Sequence, residues 1–170
     1  LLENIDLTKD LEGWCAKVWD NRILHEMDSV LESHTAIWDK CTAIVVEQQM
    51  SFGRGKSNPM ALRLGHHCQS WFLTRYGSKI EVIDFSSFHK TIINGAPKMA
   101  GKVTKKGKQT WKSVTYAARK KWSIEKALEI LCCKGDTITT TQIASSKKKD
   151  DLSDVIVQLQ AWKYLNLIPE

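Results

Sequence analysis

The sequence has no apolar run approaching the roughly 20 residues that cross a bilayer, so nothing in it reads as a membrane span. Leu1-Leu2 is followed at once by Glu3, which is not the pattern of a secretory signal. No CxxC or HxxxH spacing is present, so His66-His67-Cys68 and Cys132-Cys133 lack the ligand geometry of a zinc site. Gly53-Arg54-Gly55 is too short for a nucleotide-binding loop. His25, His34 and His89 are isolated, and no thiol stands in a recognisable Cys–His catalytic arrangement. There is no internal repeat and no long low-complexity segment. The 5 cysteines are an odd number, which reads as reduced thiols in a cytosolic or nuclear setting rather than a disulfide framework.

What is present is globular. The chain has 170 residues, 42% hydrophobic and 26% charged, enough to bury a core as a single domain spanning 1–170. No initiator Met opens it, so it reads as N-terminally incomplete, with a natural start upstream. Lys and Arg number 25 against 19 acids, a formal charge of +6. A basic excess favours a polyanionic partner, most simply nucleic acid. Composition alone equally allows a merely soluble basic protein.

Hydrophobic periodicity orders the elements. Residues 1–10 read as the end of a strand and a turn, and Trp14 to Glu32 as an amphipathic helix. Thr42 to Val46 (TAIVV) is a continuous apolar, β-branched run, the pattern of a strand buried on both faces. Gly53 to Ser57 reads as a loop. Pro59 opens a helix that ends near Gly77, and Lys79 to Phe85 (KIEVIDF) is a second such strand. Gly95 to Gly107 reads as a lysine-rich loop, Trp111 to Cys133 as a helix, and Asp136 to Ser146 as a mobile polar connection. Asp150 to Leu165 is a final helix, with Leu152, Val155, Ile156, Leu159 and Trp162 expected on its buried side. Strands alternating with helices predict an α/β chain, a sheet covered by helices.

Three groups of residues can carry chemistry. Glu47 ends the TAIVV strand, and ligand sites of open α/β sheets gather at the carboxyl ends of strands. Its alternative is a solvated loop acid. Asp151 and Asp154 are spaced i, i+3 at the start of the last helix. Acids there complement the helix dipole, but hard divalent cations also want such oxygen ligands. Two ions about 4 Å apart serve phosphodiester hydrolysis. From Lys90 to Lys134 there are 12 Lys and Arg against 2 acids, Glu125 and Glu129. This cluster includes Lys98, Lys102, Lys105, Lys106, Lys108, Lys112, Arg119, Lys120 and Lys121, interleaved with Trp111, Tyr116 and Trp122. Cations neutralise phosphates and aromatics stack on bases. The alternative is a solvated face with core aromatics, which suits Trp122 best. Arg54 and Lys56 follow Glu47 closely enough to touch phosphate beside it.

IVVEQQ (44–49) followed by a Gly/Arg/Lys loop and an apolar helix, with KKDDLSD (148–154) opening the last helix, resembles the Holliday junction resolvases of the RuvC type. The poxvirus-like viral branch is the nearest in pattern, and IDLTKD (5–10) is similar to the last strand of that family's opening β-meander. The resemblance spans nearly the whole chain. It implies an RNase H-like fold, a mixed sheet flanked by helices. It also implies a homodimer that makes paired symmetric nicks in four-way DNA junctions, using Mg²⁺ or Mn²⁺. By the resemblance, Glu47, Asp151 and Asp154 are catalytic and metal-binding, Asp150 is an auxiliary metal ligand, and Lys149 contacts the scissile phosphate. The family's first-strand aspartate has no match, because Asp6 lacks the following glycine and lies too near the first helix. The chain is therefore expected to start downstream of the first two strands. Leu62, Leu64, Trp71 and Phe72 on the Pro59 helix are candidates for the dimer interface or for core. The competing functions are a non-catalytic module that binds branched DNA or other nucleic acid, and another RNase H-like nuclease such as one acting on RNA:DNA hybrids. The expected setting is intracellular: viral factory, nucleus or mitochondrion.

Overall fold

The computed structural model describes residues 3–15, 18–49 and 58–167. They form a mixed α/β chain that divides into two compact units, one built on Ile5–Ser86 and the other from Ser87 onward.

The first unit begins with turns. Asp6 Oδ1 accepts from Thr8 N at 2.9 Å and from Thr8 Oγ1 at 2.6 Å. This local turn takes up the backbone donor that a strand would need, so the described residues 3–10 show the expected turn but not the expected strand end. The first helix, α1 (Arg22–Ser33), also starts later than the apolar stripe predicts. Asp20 accepts from Arg22 N at 2.9 Å and pairs with the Arg22 guanidinium at 2.7 Å, fixing a turn immediately ahead of the helix. The guanidinium holds the Asp20 carboxyl below the usual carboxylate range. A short helix, α2 (Thr35–Trp38), follows.

Strands β1 (Ala43–Glu47) and β2 (Glu81–Phe85) pair in parallel, with Ala43 opposite Glu81 and Glu47 opposite Phe85. Parallel neighbours need a crossover, supplied here by α3 (Pro59–Tyr76) and a 3₁₀ turn over Gly77–Lys79. Helix α3 starts where Asn58 Oδ1 accepts from Met60 N and Ala61 N, with Pro59 in the first turn. It stops at Gly77, whose φ of 55° suits glycine. Strand β1 is half-buried along its length rather than buried on both faces, because among the described residues it has one strand neighbour, β2. The core gathers Ile23, Leu31, Phe72, Ile80 and Phe85. Phe72 is 2% exposed and meets Trp38 and Trp71 edge-on, so it is core and not interface.

The second unit holds α4 (Ser87–Ile93), strands β3 (Lys98–Val103) and β4 (Gln109–Ser113), α5 (Tyr116–Cys133), α6 (Thr137–Ser145) and α7 (Lys149–Asn166). Three sequence expectations are corrected here. The lysine-rich stretch is an antiparallel hairpin, closed by Thr104 N donating to Lys108 O at 2.9 Å and Gly107 N to Thr104 O at 2.9 Å. The helix expected from Trp111 begins only at Tyr116, where Thr115 Oγ1 accepts from Ala118 N at 3.3 Å. The expected mobile connection is helix α6, capped by Asp136, which accepts from Thr139 N at 2.9 Å. Those hydrogen bonds hold the Asp136 carboxyl below its ordinary range. Ala127, Ile130, Leu131, Ile143, Leu152 and Val157 form the core, with Trp122 packed against it.

Candidate nucleic-acid interface

Two of the three acids at the start of α7, Asp150 and Asp154, are engaged by neighbouring helices. Helix α7 places Asp150 and Asp151 in its first turn, where the positive end of the helix dipole favours carboxylates. Asp150 and Asp154 are one turn apart and meet different partners. Lys120 of α5 makes an ion pair with Asp150. That ammonium holds the Asp150 carboxyl below the usual range. In return, Asp150 and then the Tyr116 hydroxyl push Lys120 well above its ordinary value. Asp154 accepts from Ser123 Oγ at 2.5 Å and pairs with Lys90 Nζ of α4 at 2.8 Å. Asp151 and Lys149 are exposed. The sequence singled out Asp151 with Asp154; the structure gives Asp150 and Asp154 shared packing against α4 and α5. Lys90 and Ser123 are partners that residue spacing did not expose, because they come from separate elements.

Glu47 belongs to the first unit, at the carboxyl end of β1 and in register with Phe85, where it is half-buried. The backbone continues the pairing one residue further, with Gln48 N donating to Phe85 O at 2.9 Å. Gln48 Nε2 also reaches Asp84 Oδ2 at 3.3 Å. The oxygen donors of Glu47, Asp151 and Asp154 suit Mg²⁺ or Mn²⁺ chemically. Among the described residues, however, neither unit gathers three or more His, Cys, Asp or Glu side chains around one position.

The basic residues have an exposed setting. Lys98, Lys102, Lys105, Lys106, Lys108 and Lys112 lie on the β3–β4 hairpin and are all exposed. Trp111 is 63% exposed and Tyr116 is 66% exposed, so neither is core. The first turns of α5 add Arg119 and Lys121, both exposed, and Lys120, which is half-buried at Asp150. The Arg119 guanidinium and Lys120 ammonium lie 5.9 and 5.0 Å from the Tyr116 ring centroid. Lys120 thus brings the basic start of α5 to the acid-bearing start of α7. Arg54 and Lys56 lie outside the described residues.

His67 and Cys68 have structural settings. His67 Nε2 meets Asp28 Oδ1 at 2.7 Å, tying α3 to α1. Burial pushes the Cys68 thiol up to about 11, away from thiolate chemistry at neutral pH. All five cysteines are free. Among the described residues, no helix is long and apolar enough to cross a membrane.

The chain is similar to proteins of two iridescent viruses. It is 42% identical over 143 residues to uncharacterized protein 170L of Invertebrate iridescent virus 6, covering 81% of this chain and 56% of that protein. It is 30% identical over 133 residues to uncharacterized protein 97L of Invertebrate iridescent virus 3, covering 78% of this chain and 53% of that protein. The chain therefore spans about half the length of the curated relatives it matches. No protein-family profile matches it, and no solved structure matches it.

Proposed function

We propose that this chain belongs to a structure-selective DNA endonuclease of the RuvC type, with an RNase H-like fold, that resolves four-way junctions as a homodimer. One observation carries the reading: the Lys120–Asp150 contact joins the basic start of α5 to the acidic start of α7. A phosphodiester gripped at the start of α5, by Arg119 and Lys121 beside Lys120, would lie near the α7 carboxylates. The parallel β1–β2 pair, ending in Glu47, adds a strand-end acid of the expected kind.

In this reading the lysines and Arg119 bind and orient the phosphate backbone, selecting branched geometry more than sequence. Glu47, Asp151 and Asp154 would hold Mg²⁺ or Mn²⁺, which supplies charge stabilisation for hydrolysis when bound. Lys149, exposed in the first turn of α7, would contact the scissile phosphate. A two-fold dimer would present two such sites to a symmetric junction.

A labelled four-way junction, incubated with Mg²⁺, with EDTA, and beside a linear duplex control, tests the reading. Paired, metal-dependent nicks confined to the junction are expected. Glu47→Gln and Asp151→Asn should abolish cutting and leave junction binding largely intact. Cutting at full rate in both variants overturns the site assignment.

The engagement of Asp154 by Lys90 favours a second reading, a branched-DNA-binding module without catalysis. Tight junction binding with no nick in any metal would favour it.

A further inference from the structure

Among the described residues, nothing packs over either face of the β3–β4 hairpin. Residues directly opposite in an antiparallel pair share a face, so Lys98 lies with Ser113 and Ala100 with Trp111 on one side, and Met99 lies with Lys112 on the other. The ladder is irregular between Ala100 and Val103. Along β3 every residue but Gly101 is exposed, and along β4 every residue but Thr110. Met99, Val103 and Trp111 are 45%, 61% and 63% exposed. An unsupported two-stranded hairpin is marginal in water, and exposed apolar side chains on both its faces add to that cost. A protruding ribbon of this kind is suited to being covered.

Charge says by what. Residues 98–113 contain six lysines and no acid. Lys98 and Lys112 lie on opposite faces, Lys105, Lys106 and Lys108 cap the tip, and Lys102 sits in the irregular stretch. Lysines on one face would suit a single phosphate strand. Lysines on both faces and the tip suit a channel with phosphates on each wall. The major groove of B-form DNA, about 12 Å wide, admits a two-stranded ribbon, whereas the minor groove is about 6 Å wide. The deep, narrow major groove of A-form RNA does not admit side chains.

We propose that the β3–β4 hairpin is a DNA-binding arm that enters the major groove of duplex DNA and reads its width and phosphate walls. This deepens the junction reading, because it assigns the contact that grips a duplex arm, but it requires no cleavage. The arm does not read bases through its one amide side chain: Gln109 Nε2 already donates to Gly101 O at 2.8 Å and to Thr110 O at 2.9 Å. It carries no arginine for bidentate contact with guanine. Binding is therefore expected to be strong in salt dependence and weak in sequence preference.

The test measures binding of the whole chain to linear DNA by fluorescence anisotropy in EDTA across a salt series. Four probes are compared: a plain duplex, a duplex carrying glucosylated hydroxymethylcytosine to fill the major groove, an AT-rich duplex saturated with a minor-groove drug, and a duplex RNA of the same length. Glucosylation should weaken binding about ten-fold or more, and the drug should leave it nearly unchanged. Replacing Lys105, Lys106 and Lys108 together by Ala should lower the slope of log K against log salt by about 2 to 3, and Lys→Arg at the same positions should retain it. The Ala variant should also lose its sensitivity to glucosylation. The proposal is overturned by drug-sensitive binding that ignores glucosylation, by equal affinity for duplex RNA, or by an unchanged salt slope in the Ala variant. Junction nicking is scored separately, so an arm that binds while no strand is cut sinks only the endonuclease reading.

Discussion

Lys90 of α4 and Asp154 of α7 meet at 2.8 Å, with the Lys90 side chain 12% exposed and the Asp154 side chain 41% exposed. The Ser123 hydroxyl donates to the other Asp154 oxygen at 2.5 Å. Asp154 thus joins three helices, and the contact places an ammonium where a catalytic reading of Asp154 wants a cation.

This gives Asp154 a structural signature that can be separated from a catalytic one. Asp154→Ala removes the carboxylate from a mostly buried ammonium and strands the buried Ser123 hydroxyl. The expected cost is about 1–3 kcal/mol, read as a lower denaturant midpoint with an unchanged slope. Asp154→Asn keeps the shape and an acceptor for Ser123 and should cost less. A carboxylate retained only to bind metal would behave oppositely, since such acids repel one another when no ion is bound. An Ala variant as stable as the parent, or more so, would show that the Lys90 contact does not hold the helices together.

The Lys120–Asp150 pair predicts a pH window. The Asp150 carboxyl is held below its ordinary value, so its contribution to folding is present above that value and lost as pH falls through the lowered one. Lys120 is raised, so its contribution is present below the ordinary Lys value and lost as pH climbs through the raised one. Both charges are in place at neutral pH. Lys120→Met should therefore separate from the parent in thermal unfolding at pH 7. The two curves should converge below about pH 4, under the usual Asp range. Parallel curves down to pH 2 would mean that the pair is not formed in solution.

Helix α6 offers the sharpest contrast with the sequence expectation. Ile143 is fully buried within the core formed by Ala127, Leu131 and Val157. Ile143→Ala should cost about 2–5 kcal/mol, as for other buried aliphatic truncations. A mobile connection would tolerate the change. Chemical denaturation of the single variant decides between them.

Some of this architecture was legible because one physical signal dominated. AIVV is a continuous apolar run ending in three β-branched residues, so β1 appears within a residue of where it was expected. Helix α3 was announced by Pro59 at one end and Gly77 at the other. The buried face of α7 was legible in part: Leu152 and Trp162 are buried as expected. Val155 and Leu159 are exposed, whereas Ser153 and Gln158 are buried. Ser153 can be buried because its hydroxyl donates to Lys149 O at 2.6 Å, within its own helix. A polar residue satisfied in this way breaks the apolar stripe without breaking the packing. Helix α6 was hidden for the same reason. Thr140 and Thr141 donate to Asp136 O and Thr137 O one turn back, so hydroxyls that read as loop are absorbed by the helix. The hairpin lacks apolar alternation altogether because neither face is covered by core. The candidate acids and lysines were visible individually, but not the pairing of Lys90 and Lys120 with Asp154 and Asp150, which depends on tertiary packing.

Gly101 sets the geometry of the hairpin. A Cβ there would lie 2.5 Å from Thr110 Oγ1, 3.2 Å from Thr110 O and 3.3 Å from Lys112 Cγ. Thr110 Oγ1 cannot swing away freely, because it donates to Lys102 O at 2.5 Å. The backbone oxygen of Thr110 is fixed in the chain and accepts from Gln109 Nε2 at 2.9 Å. Gly101→Val should therefore pry the two strands apart locally. Since the hairpin contributes no residue to the buried core, the global unfolding midpoint should stay within about 0.5 kcal/mol of the parent. Local opening is instead read by limited trypsin digestion, which samples the open population when reclosing is fast. Cleavage at the hairpin lysines should accelerate, while sites in α5 and α7 stay protected. Adding Thr110→Ala to a Gly101→Ala variant removes the closest clashing atom, so the double variant should be cut more slowly than Gly101→Ala alone. Equal rates would locate the strain in the Thr110 backbone rather than in its hydroxyl.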